Sequence, residues 1–173
     1  MEKRVLLKET QDIHLVGRIT TKCMRQIIGA MRKAQGTDTS IVLYINSEGG
    51  DVLPALELYH FLRNAGDVVG VVDHAAHSMA AVVLQGCRVR KAYSNAHITI
   101  HDMNVTVQGT VWDMEKGIVA ALEQRKKIQQ KIYAIFAERS AKSIKEIAEK
   151  CHKGITFSAS GAKEAGLIDE VII

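Results

Sequence analysis

The sequence lacks most of the features that mark linkers, disulfide frameworks and membrane spans. Its 173 residues include one proline, Pro54, and three widely separated cysteines, Cys23, Cys87 and Cys151. With no Ser/Pro-rich stretch to act as a linker, a single domain over residues 1–173 is expected. An odd number of cysteines without a CxxC pair favours free thiols in a reducing cytoplasm over disulfides. No apolar run is long enough to cross a bilayer, so no membrane association is predicted.

Aromatic residues and strongly one-sided charge are also scarce. Phe, Trp and Tyr make up 5% of the chain, and its net charge of +4 is spread along the sequence. Short basic runs of this kind are usually solvated faces, so we expect no nucleic-acid binding. The first residues lack the apolar segment of a signal peptide, which again favours a cytoplasmic location. The adjacent pair Cys151-His152 is too small a ligand set for zinc, and we expect neither a metal nor a cofactor.

Strand-like and helix-like segments alternate along the chain. This order predicts an α/β fold with a largely parallel sheet. The predicted strands are residues 13–16, 41–46, 68–72, 88–93, 96–101 and 167–173. The predicted helices are residues 21–34, 51–63, 78–84, 112–139, 143–150 and 160–165, with Asp51 as the expected N-cap of the second and Ser143 as that of the fifth.

The most informative segment combines a Gly-Gly turn, a serine and a histidine. Gly49-Gly50 follows one strand, Ser78 stands where a small-residue helix begins, and His101 ends a later strand. A serine beside unpaired backbone N–H groups, with a base nearby, is the arrangement of a nucleophile and its oxyanion hole. Taken singly, the serine could be an ordinary N-cap, the glycines an ordinary turn and the histidine a surface residue. Their order within about sixty residues favours the catalytic interpretation.

These motifs resemble the proteolytic subunit of the ATP-dependent Clp protease. That family carries Tyr-Ile-Asn-Ser-Pro-Gly-Gly, Ala-Ala-Ser-Met-Gly, Met-Ile-His and a C-terminal Gly-Leu-Ile-Asp. The corresponding segments here are Tyr44-Ile-Asn-Ser-Glu-Gly-Gly50, Ala76-His-Ser-Met-Ala80, Thr99-Ile-His101 and Gly166-Leu-Ile-Asp169.

The resemblance implies a crotonase-like spiral of ββα units with a protruding long helix. The head would comprise about residues 1–102 and 140–173, and the handle arm and helix about 103–139. It further implies Ser78 as nucleophile and His101 as base, with the backbone N–H groups of Gly50 and Met79 forming the oxyanion hole.

Three positions depart from the family pattern. The proline before Gly-Gly is Glu48, the glycine after Ser-Met is Ala80, and a gap-free count places the family's triad aspartate at Gly154. Glycine has no side chain to orient an imidazole, so the third triad member is open: a backbone group, a water molecule or a nearby carboxylate such as Asp102. His74 and His77, which flank the serine, are either substrate-side groups or polar loop residues.

The predicted helix 112–139 carries an apolar stripe that one small domain would not cover. We therefore expect a homo-oligomer, by resemblance a pair of stacked heptameric rings, with Ile128 and Ile132 at the contact between rings. The resemblance also implies an AAA+ unfoldase partner. The short segment before the first strand argues against docking of that ATPase.

The leading hypothesis is a serine endopeptidase that degrades unfolded proteins or peptides inside a ring-shaped chamber. One alternative is a non-catalytic structural subunit of a Clp-type complex. Another is a crotonase-type acyl-CoA enzyme, which shares an oxyanion hole of two backbone amides. The pairing of Ser78 with His101 favours hydrolysis over coenzyme A chemistry.

Overall fold

Strands and helices alternate throughout the computed structural model, which describes residues 9–34, 39–104 and 110–173 apart from the side chains of 111–116. The strands are β1 Thr10–Ile19, β2 Ser40–Gly50, β3 Val68–His77, β4 Val89–Tyr93, β5 His97–Ile100, β6 Ile155–Ser158 and β7 Glu170–Ile172. The helices are α1 Thr21–Ala34, α2 Val52–Ala65, α3 Met79–Leu84, α4 Val111–Ser140, α5 Ile144–Lys153 and α6 Ala159–Glu164. None of the helices in these ranges combines the length and hydropathy needed to cross a bilayer.

The strands form one sheet in which nearly all neighbours are parallel. Strands β1, β2, β3, β4 and β7 lie side by side in that order, and β5 attaches to β3. The only antiparallel pairing within the described residues joins β5 to β6. The predicted α/β fold with a parallel sheet is therefore confirmed. Strand β6 was not predicted, because its four side chains are only partly buried or exposed and give no apolar run.

Strand β3 divides the sheet into two branches. Its first half pairs with β4 over Val69–Val72, and its second half pairs with β5 over Ala75–His77. Strand β2 stays paired with both halves of β3, with a register shift between Ile45 and Ser47. Helix α3 starts directly after β3, and all six of its residues are buried. The branch point therefore places the ends of β2, β3 and β5 close together at the start of a buried helix.

The chain is less regular at its C-terminal end than the sequence predicted. Leu167 and Ile168 are buried but precede the strand, which begins only at Glu170. The reason is the side chain of Asp169, whose carboxylate accepts hydrogen bonds from the buried guanidinium of Arg90 at 2.5 and 3.1 Å. This ion pair fastens the end of the chain beside β4 before β7 begins.

Helix α4 has two different halves. In its C-terminal half Ile132, Tyr133 and Phe136 are at most 3% exposed, packed into the core of their own domain. In its N-terminal half Val119 is 65% exposed and Leu122 is 40% exposed. The expectation that Ile132 contacts another ring is therefore wrong for this residue, since its own domain already covers it. The predicted arm over residues 103–110 lies mostly outside the described residues.

Candidate active site

Ser78 sits at a strained turn between β3 and α3. Its backbone has φ 54° and ψ −122°, a conformation that residues with a Cβ rarely adopt. Its N–H donates to the carbonyl oxygen of Thr99 at 2.9 Å, which ties the turn to β5. The Ser78 side chain makes no capping hydrogen bond to α3. The ordinary N-cap interpretation therefore fails, and the sharp strand-to-helix turn presents the hydroxyl instead.

The Gly-Gly turn at the end of β2 packs directly against the serine. Gly49 has φ 93°, and a Cβ there would lie 2.7 Å from the His77 carbonyl oxygen and 3.0 Å from the Met79 nitrogen. Gly50 has φ 151°, and a Cβ there would lie 2.7 Å from the backbone nitrogen of Ile19. Only glycine fits at either position. The close approach brings the backbone of β2 to the first turn of α3.

Ser47 holds this turn in place. Its buried hydroxyl donates to the carbonyl oxygen of Gly17 at 2.6 Å and accepts from the N–H of Gly49 at 3.1 Å. The family's proline is replaced by Glu48, but these two hydrogen bonds restrain the turn from the preceding residue. Ser47 was not predicted as a site residue. Every second side chain of β2 is buried, and Ser47 follows the apolar residues Leu43 and Ile45 in this alternation. The alternation alone therefore indicates a buried serine at this position.

His101 follows β5 directly, and its ring bonds to the backbone. Its Nδ1 lies 2.5 Å from the carbonyl oxygen of Asp102. A carbonyl oxygen only accepts hydrogen bonds, so Nδ1 carries the hydrogen and donates it. In the neutral ring Nε2 is then unprotonated, which is the form that a general base requires.

Gly154 ends α5 in the left-handed conformation, with φ 63° and ψ 63°. A Cβ at this position would lie 3.8 Å from the Cβ of His101, with no closer contact. The position matched to the family's aspartate therefore lies beside the candidate base and has room for a side chain.

The Asp102 carboxylate has other partners than His101. One oxygen accepts a hydrogen bond from the Tyr133 hydroxyl at 2.5 Å, and the other pairs with Nδ1 of His152.

Neighbouring Cys151 is buried, and burial raises the pKa of its thiol to about 12. It is therefore a protonated thiol at neutral pH and not a nucleophile. Tyr133 was not singled out from the sequence, because residues 102, 133 and 152 are brought together only by the packing of α4 and α5.

A cavity of about 350 Å³ joins these elements. Ser78, Met79, Gly50 and His101 all line it. An apolar wall completes one side, formed by Val52, Val82, Ile132 and Phe136. Charged residues line it too, namely Arg18, which pairs with Asp51 at 2.8 Å, and Glu48. Asp51 is the N-cap residue of α2, as predicted, but its side chain makes no capping hydrogen bond to the helix. Within the described ranges no cluster of His, Cys, Asp and Glu is arranged to hold a metal ion.

The two histidines that precede Ser78 in sequence, His74 and His77, do not line this cavity. His77 pairs with the Thr99 hydroxyl at 2.6 Å, and His74 is exposed beside Asp73. Both belong to strand β3 and not to a loop. They are therefore polar residues outside the cavity, as the second prediction had it, but the predicted loop location is wrong.

Comparison with known proteins agrees with this architecture. The model of the Clp protease family matches residues 2–173. The ATP-dependent Clp protease proteolytic subunit of Chaetosphaeridium globosum is 29% identical over 153 residues, covering 86% of this chain and 75% of that protein. The fold, and the cavity that Ser78 and His101 both line, define an α/β protein with a serine at a strand-to-helix turn. The chain belongs to the Clp protease family, a family of proteases.

Proposed function

We propose that this protein is a serine-type endopeptidase that cleaves unfolded proteins or peptides. The observation that carries the proposal is the strained Ser78 turn, which opens into the same cavity as His101 and the Gly49-Gly50 turn. Strain of this kind is concentrated at functional sites, and a purely structural N-cap would use its hydroxyl within the helix. Membership of the Clp protease family supports the same chemistry.

Each group has a defined role in this mechanism. Ser78 Oγ attacks the peptide carbonyl carbon while Nε2 of His101 takes the hydroxyl proton and later gives it to the departing amine. The backbone N–H groups of Gly50 and Met79 stabilise the oxyanion of the tetrahedral intermediate. A water molecule, activated by the same imidazole, then hydrolyses the acyl-enzyme. The chemistry needs no metal or cofactor.

The apolar wall of the cavity suits an apolar substrate side chain next to the cleaved bond. By family resemblance we propose that the reaction takes place inside a cytoplasmic chamber of stacked heptameric rings. The resemblance also implies an AAA+ unfoldase partner, and a binding experiment with the assembled protein tests whether one docks.

One observation favours a second candidate function, a non-catalytic ring subunit. Gly154 provides no carboxylate beside His101, and loss of that carboxylate costs a serine protease about 10⁴-fold in kcat. Intact mass after treatment with a fluorophosphonate distinguishes the two functions, since an activated serine displaces fluoride and keeps the phosphonyl group. Addition at Ser78 in the assembled protein supports the peptidase. Absence of addition favours the structural subunit.

Restoring a carboxylate beside the base should speed hydrolysis. We expect Gly154→Asp to raise kcat about tenfold, because a carboxylate stabilises the imidazolium formed in the transition state more than a carbonyl dipole does. A Cβ at position 154 would meet nothing closer than the His101 Cβ at 3.8 Å, although the left-handed backbone favours glycine.

Gly154→Asn is the matched control, since it has the same shape and backbone strain without the charge. Peptide turnover of both variants is compared with that of the parent. An equal rise in both, or no rise in Gly154→Asp, would contradict a role for charge at this position.

Assembly should depend on the exposed half of α4. Val119→Glu and Leu122→Glu should each shift the protein toward smaller species in light scattering, because they place a charge on apolar surface that a neighbouring subunit would cover. Ile144→Glu is the control, at a similarly exposed apolar residue on α5 (48% exposed). A parent that is monomeric at micromolar concentration would contradict the proposed oligomer.

A further inference from the structure

The group that orients His101 is part of the main chain. The Nδ1–H of His101 donates to the Asp102 carbonyl oxygen at 2.5 Å, on the residue that follows it in sequence. This carbonyl belongs to the peptide plane between residues 102 and 103. Unless that plane is held, the carbonyl rotates with it and cannot fix the His101 ring.

Three contacts from two helices hold Asp102. Its N–H donates to the Cys151 carbonyl oxygen at 3.2 Å, at the end of α5. Its carboxylate accepts from the Tyr133 hydroxyl of α4 at 2.5 Å and pairs with the His152 ring of α5. The Tyr133 and His152 rings also meet edge to face, with centroids 6.1 Å apart. Asp102 is thus fixed at its N–H and at both carboxylate oxygens. The N–H of Met103, which lies in the same peptide plane as the Asp102 carbonyl, donates to Gln129 Oε1 of α4 at 2.7 Å and holds that plane.

We propose that Tyr133 and His152 are positioning residues for catalysis, which hold Asp102 so that its main-chain carbonyl does the work of the missing triad side chain. This inference rests on the proposed function of Ser78 and His101. It assigns the Asp102 carboxylate a role in fastening the loop and not in direct contact with the base.

The surroundings of Tyr133 fit a permanent hydrogen-bond donor. The residue is 3% exposed. Burial raises the pKa of its phenol, and the hydrogen bond to Asp102 raises it further. The hydroxyl therefore keeps its proton at any pH at which the enzyme would work, and donates to Asp102 throughout.

Substitutions at Asp102 separate the two roles of this residue. Asp102→Asn keeps an oxygen that accepts from Tyr133 and keeps the main-chain carbonyl, so kcat should stay within about threefold of the parent. A carboxylate acting directly on His101 would instead lose about 10⁴-fold on the same change. Asp102→Ala removes both side-chain contacts and should lower kcat about tenfold, with KM unchanged, because the substrate does not touch this side chain.

Substitutions of Tyr133 and His152, which hold the Asp102 carboxylate, should also lower kcat. Tyr133→Phe keeps the buried ring, loses one hydrogen bond and should lower kcat about fivefold. His152→Ala should lower kcat by a similar factor, and His152→Gln should restore part of the loss through its amide N–H. Tyr59→Phe is the matched control, at a tyrosine that is 5% exposed and has no hydrogen-bond partner among the described residues.

The tautomer of His101 gives a readout that does not depend on turnover. In ¹⁵N-histidine-labelled protein the ring signals of His101, assigned with His101→Ala, should report hydrogen on Nδ1 in the parent and in Asp102→Asn. In Asp102→Ala and Tyr133→Phe they should report a mixture of tautomers. Thermal unfolding and light scattering confirm that each variant is folded and assembled as the parent is.

The outcomes are distinct. A parent that hydrolyses peptides, with Asp102→Asn as damaged as Asp102→Ala, would overturn the inference and leave the proposed function standing. Full turnover in Tyr133→Phe and Asp102→Ala, with an unchanged tautomer, would do the same. A parent whose Ser78 is not labelled by fluorophosphonate contradicts the proposed function, and the ¹⁵N signals then still test whether Asp102 orients the ring.

Discussion

Replacing Ser78 with alanine should abolish peptide hydrolysis and leave the fold intact. The change removes one hydroxyl that makes no hydrogen bond to helix α3, so little stability is lost. Without the nucleophile the acyl-enzyme cannot form, and kcat should fall by about 10⁴-fold or more. Turnover of a fluorogenic peptide by the purified protein measures the effect, with light scattering as the check on assembly.

Two further variants sharpen this prediction. Ser94→Ala, at an exposed serine in a turn after β4, is the matched control and should keep parental turnover. His101→Ala should be nearly as damaging as Ser78→Ala, and the double variant no worse, because nucleophile and base act as a unit. Parental cleavage by Ser78→Ala would show that the nucleophile lies elsewhere.

Gly50→Ala should cause the largest loss after those of Ser78→Ala and His101→Ala. A methyl group there would lie 2.7 Å from the Ile19 nitrogen, so the Gly-Gly turn must move away from β1. That movement displaces the proposed oxyanion donor, and loss of one such donor costs about 10²–10³-fold in kcat. Gly66→Ala is the control, since Gly66 also has a positive φ, 85°, but nothing lies within 4 Å of its added methyl group.

Both glycine variants strain the backbone, and only one should impair catalysis. Thermal unfolding separates a loss of stability from a loss of rate in each. If Gly50→Ala melts as the parent does and retains its turnover, the backbone of Gly50 takes no part in the oxyanion hole. If Gly66→Ala loses as much turnover as Gly50→Ala, the effect is general strain and the assignment fails.

The elements of this fold were predictable because their signals are local. Ser143 is the N-cap of α5 as predicted, and with Glu146 it forms a capping box, with two side-chain-to-backbone hydrogen bonds at 2.8 and 3.2 Å. The apolar runs of β2 and β3 specify buried parallel strands, and the motif around Ser78 identifies the turn. Each of these patterns lies within about ten residues, so the sequence alone contains it.

The partners of His101 were not predictable in the same way. The sequence offered Asp102 as a carboxylate, but its side-chain contacts with Tyr133 and His152 depend on how α4 and α5 cross. The burial of Ile132 was missed for a related reason. Helical periodicity defines an apolar stripe, and only the tertiary structure decides which part of the stripe its own domain covers.

The order of the strands along the chain has a consequence for synthesis on the ribosome. Strands β1 to β5 and the Ser78 turn are complete once residue 100 has emerged, and N-terminal segments can fold first. The groups that hold Asp102, and strand β6 that closes over β5, come from residues 133–158. A nascent chain would therefore contain Ser78 before it contains the residues that hold Asp102, and the proposed site would be complete only after residues 133–158 have folded.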